Sequence, residues 1–112
     1  MKEIKAYIRP SKVDDIIVAL ENFGIHGMTL INVNALADWA DPSKTVFSVK
    51  YIEKYCQIVK IELVCLAKDA KDIVDIIRKT GYTGHQGDGK IFISDITDAV
   101  SIRTGLHGQQ SF

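Results

Sequence analysis

The chain has 112 residues, 46% of them hydrophobic, and its fourteen basic and fourteen acidic side chains give a formal net charge of zero. A chain of this size supports a single core, so one domain over residues 1–112 is expected. The charge balance excludes the strong positive field of a nonspecific nucleic-acid binder and leaves a small polar ligand or a protein partner.

No apolar run approaches the ~18 residues of a membrane span, and the opening MKEIKAYIRP carries no signal-peptide hydrophobic region. A cytoplasmic protein without membrane insertion is expected. Cys56 and Cys65 are too few for a disulfide framework, and no His/Cys cluster has zinc spacing. Both cysteines read as reduced apolar side chains, and no metal is expected.

In chain order, residues 2–8 predict a strand. SKVDDIIVALENFG then predicts a helix with Ser11 as N-cap, apolar Val13, Ile16, Ile17 and Leu20, and Gly24 as a stop. MTLINV returns as a strand. Residues 34–55, NALADWADPSKTVFSVKYIEKY, hold a turn signal at Asp41-Pro42-Ser43 and no clean helical or strand period, so a long loop over about 35–55 is expected. Loops of that length in a compact domain are commonly functional, which makes this one the first candidate for partner contact. Trp39, Phe47, Tyr51 and Tyr55 are either interface anchors or, for Trp39 and Phe47, side chains folded back onto the body.

The second half repeats the order of the first. IVKIELVC predicts a strand, AKDAKDIVDIIRKTG a helix with apolar Ile73, Ile76 and Ile77 and a stop at Gly81, and KIFISDI a strand. Two β-α-β units of this length imply an α+β, ferredoxin-like fold: a four-stranded antiparallel sheet with both helices on one face. In VKIELVC, apolar Val59, Ile61, Leu63 and Cys65 alternate with Lys60, Glu62 and Val64. The face without helices then needs cover, which favours an oligomer.

TGHQGDGKIF, residues 83–92, nearly completes the phosphate-loop pattern G-x-x-x-x-G-K-[ST], with Ile91 in place of the hydroxyl. That pattern needs a strand before it and a helix after it, and here the order is reversed. What survives is a glycine-rich turn whose amides can approach an anion, with Lys90 as an adjacent charge. On the residues alone, Gly87-Asp88-Gly89 reads more readily as a tight turn into the next strand than as an anion site.

TGHQGDGKIFISDI, with MKEIKAYIRPSKVDDIIVAL, GIHGMTLINV, VKIELV and the closing IRTG, resembles the PII signal-transduction family over nearly the whole chain. The resemblance implies the ferredoxin-like fold, a homotrimer, adenine nucleotide held in clefts between subunits, and a long loop that docks onto a protein target such as a metabolic enzyme or membrane transporter. It implies a regulator and no enzyme. Carried over by position, Gly27, Met28 and Thr29 meet base and ribose, and Glu62, Leu63 and Val64 line the base pocket. Gly87, Asp88, Gly89 and Lys90 cradle phosphate, and Arg103 reaches across the subunit boundary. Amides, an ammonium and a guanidinium suit phosphate oxygens.

The chain departs from the family where outer phosphates, magnesium and 2-oxoglutarate bind. Ala35-Leu-Ala-Asp-Trp-Ala-Asp41 replaces a glycine-rich run, so that Asp38 stands for an arginine and Trp39 for a glutamine; Ile58 and Ser101 stand for a lysine and a second arginine. With these cations gone, ADP or AMP is expected over Mg-ATP, and 2-oxoglutarate sensing is not expected. An assembly module with a vestigial nucleotide site is the alternative, although it gives no reason for Lys90 and Arg103. Tyr51 aligns with a loop tyrosine that some members carry as a nucleotidylylation site. His26, His85 and His107 read as surface or turn histidines, and Asp14-Asp15 and Asp95/Asp98 as structural carboxylates, since no nucleophile accompanies them.

Overall fold

The computed structural model describes residues 1–36, 39, 41–48 and 53–112, with backbone alone for 44–48 and 53–55. The elements run β1 (Lys2–Ile8), α1 (Val13–Phe23), β2 (Thr29–Ala35), β3 (Thr45–Ser48), β4 (Glu53–Cys65), α2 (Ala70–Gly81) and β5 (Lys90–Asp95). Among the described residues the strands form one sheet in the order β2-β4-β1-β5, with β3 pairing separately with β4. All neighbours are antiparallel. This is the expected double β-α-β plan.

The period-2 alternation of β1 sends Ile4, Ala6 and Ile8 to one face and Glu3, Lys5 and Tyr7 to the other. Register places Ile61, Leu63 and Cys65 of β4 on the same face as that apolar set. There they meet Ile16 and Leu20 of α1 and Ile73 and Ile77 of α2, all of them nearly sealed from solvent. Ten of the eleven buried residues of this cluster are 4% exposed or less, which makes the helix side the chain's principal hydrophobic contribution.

A second, smaller cluster lies on the opposite face, where Ala35, Cys56 and Ile58 are buried against Tyr7, Val33 and Trp39. The Trp39 ring sits 5.4 Å from that of Tyr7, and Phe92 meets the other side of Tyr7 edge-on at 5.8 Å. Trp39 therefore folds back onto the body. Tyr51 and Asp38 lie outside the described residues, as does the side chain of Phe47.

Three expectations require correction. Ser11 does not cap α1: Pro10 opens a short 3-10 turn over Pro10–Lys12, which draws Ser11 inside it, and Lys12 takes the cap position without a side-chain bond. Residues 34–55 are not one long loop, because β2 runs on to Ala35 and Thr45–Ser48 pairs with the early part of a 13-residue β4. Cross-strand backbone bonding holds this extension, and such pairing leaves no amphipathic alternation to read. Gly81 closes α2 from within as its last residue, and Tyr82 is the cap. Gly24 does end α1, at φ +114°, a left-handed position that suits glycine.

Candidate functional site

β1 and β5 pair so that Tyr7 faces Lys90, which brings the end of β1 beside the 83–90 loop. Gly89 has φ +99°, and a Cβ there would lie 1.7 Å from the Tyr7 carbonyl oxygen. Only glycine fits so close an approach. Gly87, at φ +105°, also lies close to another segment, since its Cβ would lie 2.4 Å from Cα of Asp41. The glycines thus serve backbone-to-backbone contact on two sides of one loop.

The loop is organised from within by Asp88. Its carboxylate accepts from the Thr83 amide at 2.9 Å, the Gly84 amide at 3.0 Å and the Thr83 hydroxyl, and from Nε of Arg9 at 3.0 Å. Partial burial pushes the Asp88 pKa upward, but these donors outweigh it and hold the carboxyl well below the usual range. Asp88 is thereby committed to shaping the loop.

Arg9 joins three segments. Its guanidinium pairs with Asp88 and with Asp41, and donates to the Gln86 carbonyl at 2.8 Å and the His85 carbonyl at 3.5 Å. Desolvation works against the charge, yet the hydrogen bonds that Arg9 donates to Asp88 and Asp41 raise its pKa. Asp41 in turn accepts from the Ser43 hydroxyl at 2.7 Å and the Ser43 amide at 2.9 Å; those bonds and the pairing with Arg9 lower its pKa. A recess of about 610 Å³ opens around this knot, lined by Arg9, Asp41, Ser43, Thr83 and His85 among others. Sequence reasoning missed Arg9 and the role of Asp41. The signal for Arg9 was its place one residue beyond β1, at the sheet end where an antiparallel β5 must begin.

Lys90, the first residue of β5, is exposed and has no carboxylate partner among the described residues. It lines a second pocket of about 400 Å³, together with Gly89, Asp88, Arg78 and Tyr82 over an apolar floor. The residues expected around adenosine lie elsewhere on the sheet: Thr29 faces Glu62 across β2 and β4, on the face without helices. Val64 shares that face, whereas Leu63 sends its side chain into the main core and could offer a ligand only backbone. Glu62 pairs with Lys60 at 2.8 Å, which lowers its pKa, and Lys60 also stands 5.8 Å over the Tyr7 ring. Gly27 is exposed and Met28 packs against the core. β1 separates the Thr29–Glu62 group from Lys90, so one chain does not bring the two groups side by side.

Arg103 sits in a separate turn closed by the Ser101 amide to the Leu106 carbonyl at 2.9 Å and by a bridge between Val100 and His107. Asp98 secures its base, accepting from the Ala99 and Gly108 amides and meeting His107 Nδ1 at 2.7 Å. Asp95 pairs with Lys2. These carboxylates are structural, and His26, His85 and His107 are exposed. Among the described residues, no group of three or more His, Cys, Asp or Glu could hold a metal ion, and no helix is long and apolar enough to cross a membrane.

The chain is a double β-α-β sandwich with a glycine-rich, cation-bearing loop beside its central strand, the plan of a small single-core domain. The family model for nitrogen regulatory protein P-II matches residues 1–106. Nitrogen regulatory protein P-II 1 of Methanothermobacter thermautotrophicus is 37% identical over 111 residues, covering 99% of this chain and 96% of the relative. The nitrogen regulatory protein P-II of Rhizobium meliloti is 32% identical over 108 residues, or 96% of each. Among solved structures, Arabidopsis thaliana PII bound to citrate superposes with a TM-score of 0.81 at 25% identity, over 99% of this chain and 91% of that one. The chain belongs to the nitrogen regulatory protein P-II family, whose members are regulatory signalling proteins.

Proposed function

We propose that this chain is a cytoplasmic sensor that binds an adenine nucleotide, ADP or AMP in preference to Mg-ATP, in clefts between the subunits of a homotrimer. Occupancy is relayed to a protein target, a metabolic enzyme or a transporter, through residues 35–55. The observation that carries the reading is the 83–90 loop: Asp88 and Arg9 fix its shape internally, and among the described residues Lys90 at its exposed end has no ion-pair partner. An ammonium on a rigid glycine loop is suited to an anionic ligand.

The separation of the Thr29–Glu62 group from Lys90 by β1 supports a site completed by a second subunit. Weak interest in 2-oxoglutarate is supported by Ile58, which is 5% exposed and packed with Trp39, Val33 and Tyr7 where the family carries a lysine. Communication with the target is supported by Arg9, since one guanidinium touches both the loop and Asp41. Calorimetric titration with AMP, ADP and Mg-ATP tests the preference, and tighter binding of Mg-ATP would overturn it. Sedimentation equilibrium returning a monomer at micromolar concentration would remove the inter-subunit site. Absence of all nucleotide binding would leave an assembly module.

A further inference from the structure

We propose that Asp98 and His107 are positioning residues for Arg103: their contact staples the base of a hairpin over residues 98–108 and so fixes the direction in which Arg103 is offered to the nucleotide. The inference rests on the nucleotide reading above and concerns two residues to which the family resemblance assigns no ligand role.

The hairpin takes no support from the apolar interior. No residue from 97 to 108 belongs to either buried cluster or packs against one. Its own apolar side chains are turned out, Val100 and Leu106 half-exposed and Ile102 wholly so. The shape therefore comes from bonds within the segment. The Gly108 amide donates to the Ala99 carbonyl at 2.8 Å and the Ser101 amide to the Leu106 carbonyl at 2.9 Å, with Val100 and His107 bridged between them. The Gly105 amide closes the tip onto the Ser101 carbonyl at 2.8 Å, and the hydroxyls of Ser101 and Thr104 accept from the amides of Thr104 and Leu106. Arg103 sits inside that tip, exposed and without an ion-pair partner among the described residues.

A lone two-stranded ribbon is marginal in water. Asp98 closes this one at its open end, because a single carboxylate reaches both strands. Its Oδ1 accepts from the Ala99 amide at 2.8 Å and from the Gly108 amide at 3.2 Å, and its Oδ2 meets Nδ1 of His107 at 2.7 Å. An ionised carboxylate only accepts, so Nδ1 carries the hydrogen. These donors, His107 first, hold the Asp98 carboxyl below its usual range. His107 lies at the base and Arg103 at the tip, so the staple acts on the guanidinium through the backbone between them. A guanidinium on an ordered turn loses less freedom on meeting a phosphate than one on a fraying ribbon.

The test is titration of the intact protein with ADP, comparing wild type with His107→Leu, His107→Asn, Arg103→Ala and the double variant Arg103→Ala/His107→Leu. Loss of the staple should weaken ADP binding about fivefold in His107→Leu, with hydrogen exchange raised at residues 99–107. His107→Asn, whose amide nitrogen stands as many bonds from Cβ as Nδ1 does, should recover most of the affinity. Arg103→Ala should weaken binding about tenfold, and adding His107→Leu to it should cost nothing more, because the staple then has no guanidinium to position. Wild-type ADP affinity in His107→Leu or in Arg103→Ala, unchanged exchange at residues 99–107, or a fivefold loss that persists in the Arg103→Ala background overturns the positioning role and leaves the nucleotide reading standing. A wild-type protein that binds neither ADP nor AMP overturns both.

Discussion

Strand β1 and the residue just beyond it are held by opposite physics. The strand packs Ile4, Ala6 and Ile8 into an apolar layer sealed by two helices, whereas Arg9 is held by two carboxylates and two carbonyls at a partly wetted edge. Apolar burial is non-directional and contributes in proportion to area. The Arg9 knot contributes little area but is specific in geometry, so its main product is the position of one loop relative to another. The core supplies the buried apolar area, and the knot sets where two loops lie relative to each other.

Substitutions at the two places should separate these roles. Ile61→Ala, at a fully buried position, should cost about 3 kcal/mol or more of unfolding free energy, read as a lowered urea midpoint. Arg9→Ala should cost less stability than Ile61→Ala because its site is partly solvated, yet it should raise hydrogen exchange at residues 41–43 and 83–89. If Arg9→Ala destabilises as much as Ile61→Ala, the division between core and knot fails.

Acid sharpens the comparison further. The Asp88 carboxyl is depressed in the folded state, so its stabilisation is present above the unfolded value near 4 and is lost as pH falls below that value toward the folded one. Wild type should therefore lose stability through that window, and Asp88→Asn should show a shallower loss, measured by urea unfolding at a series of pH values. Ser11→Ala should change stability by no more than about 0.5 kcal/mol, since the serine makes no cap bond.

The same contrast governs what could be read from the sequence. Strand β1, both helix faces and the stop at Gly24 were legible because burial imposes a period of 2 or 3.6 on residue type. The extension of β4 to Glu53 was not, because a ladder held by backbone bonding leaves no such pattern. Gly87 and Gly89 were legible as turn residues, but their closest neighbours, Asp41 and Tyr7, lie far away in the chain. Arg9 could be placed only once antiparallel pairing set Tyr7 opposite Lys90. Lys90 was singled out by its place after the glycine-rich turn, whereas Arg103 came only from the family resemblance.

Trp39 is the chain's single tryptophan, and it rests against Tyr7 beside the segment that Asp41 ties to Arg9. The molecule therefore carries its own optical gauge. Indole emission responds to the polarity around the ring, so seating or release of that segment should register as a spectral shift without any attached dye. Tyr7 also abuts Phe92 of the strand that Lys90 begins, which places the gauge one ring away from that strand.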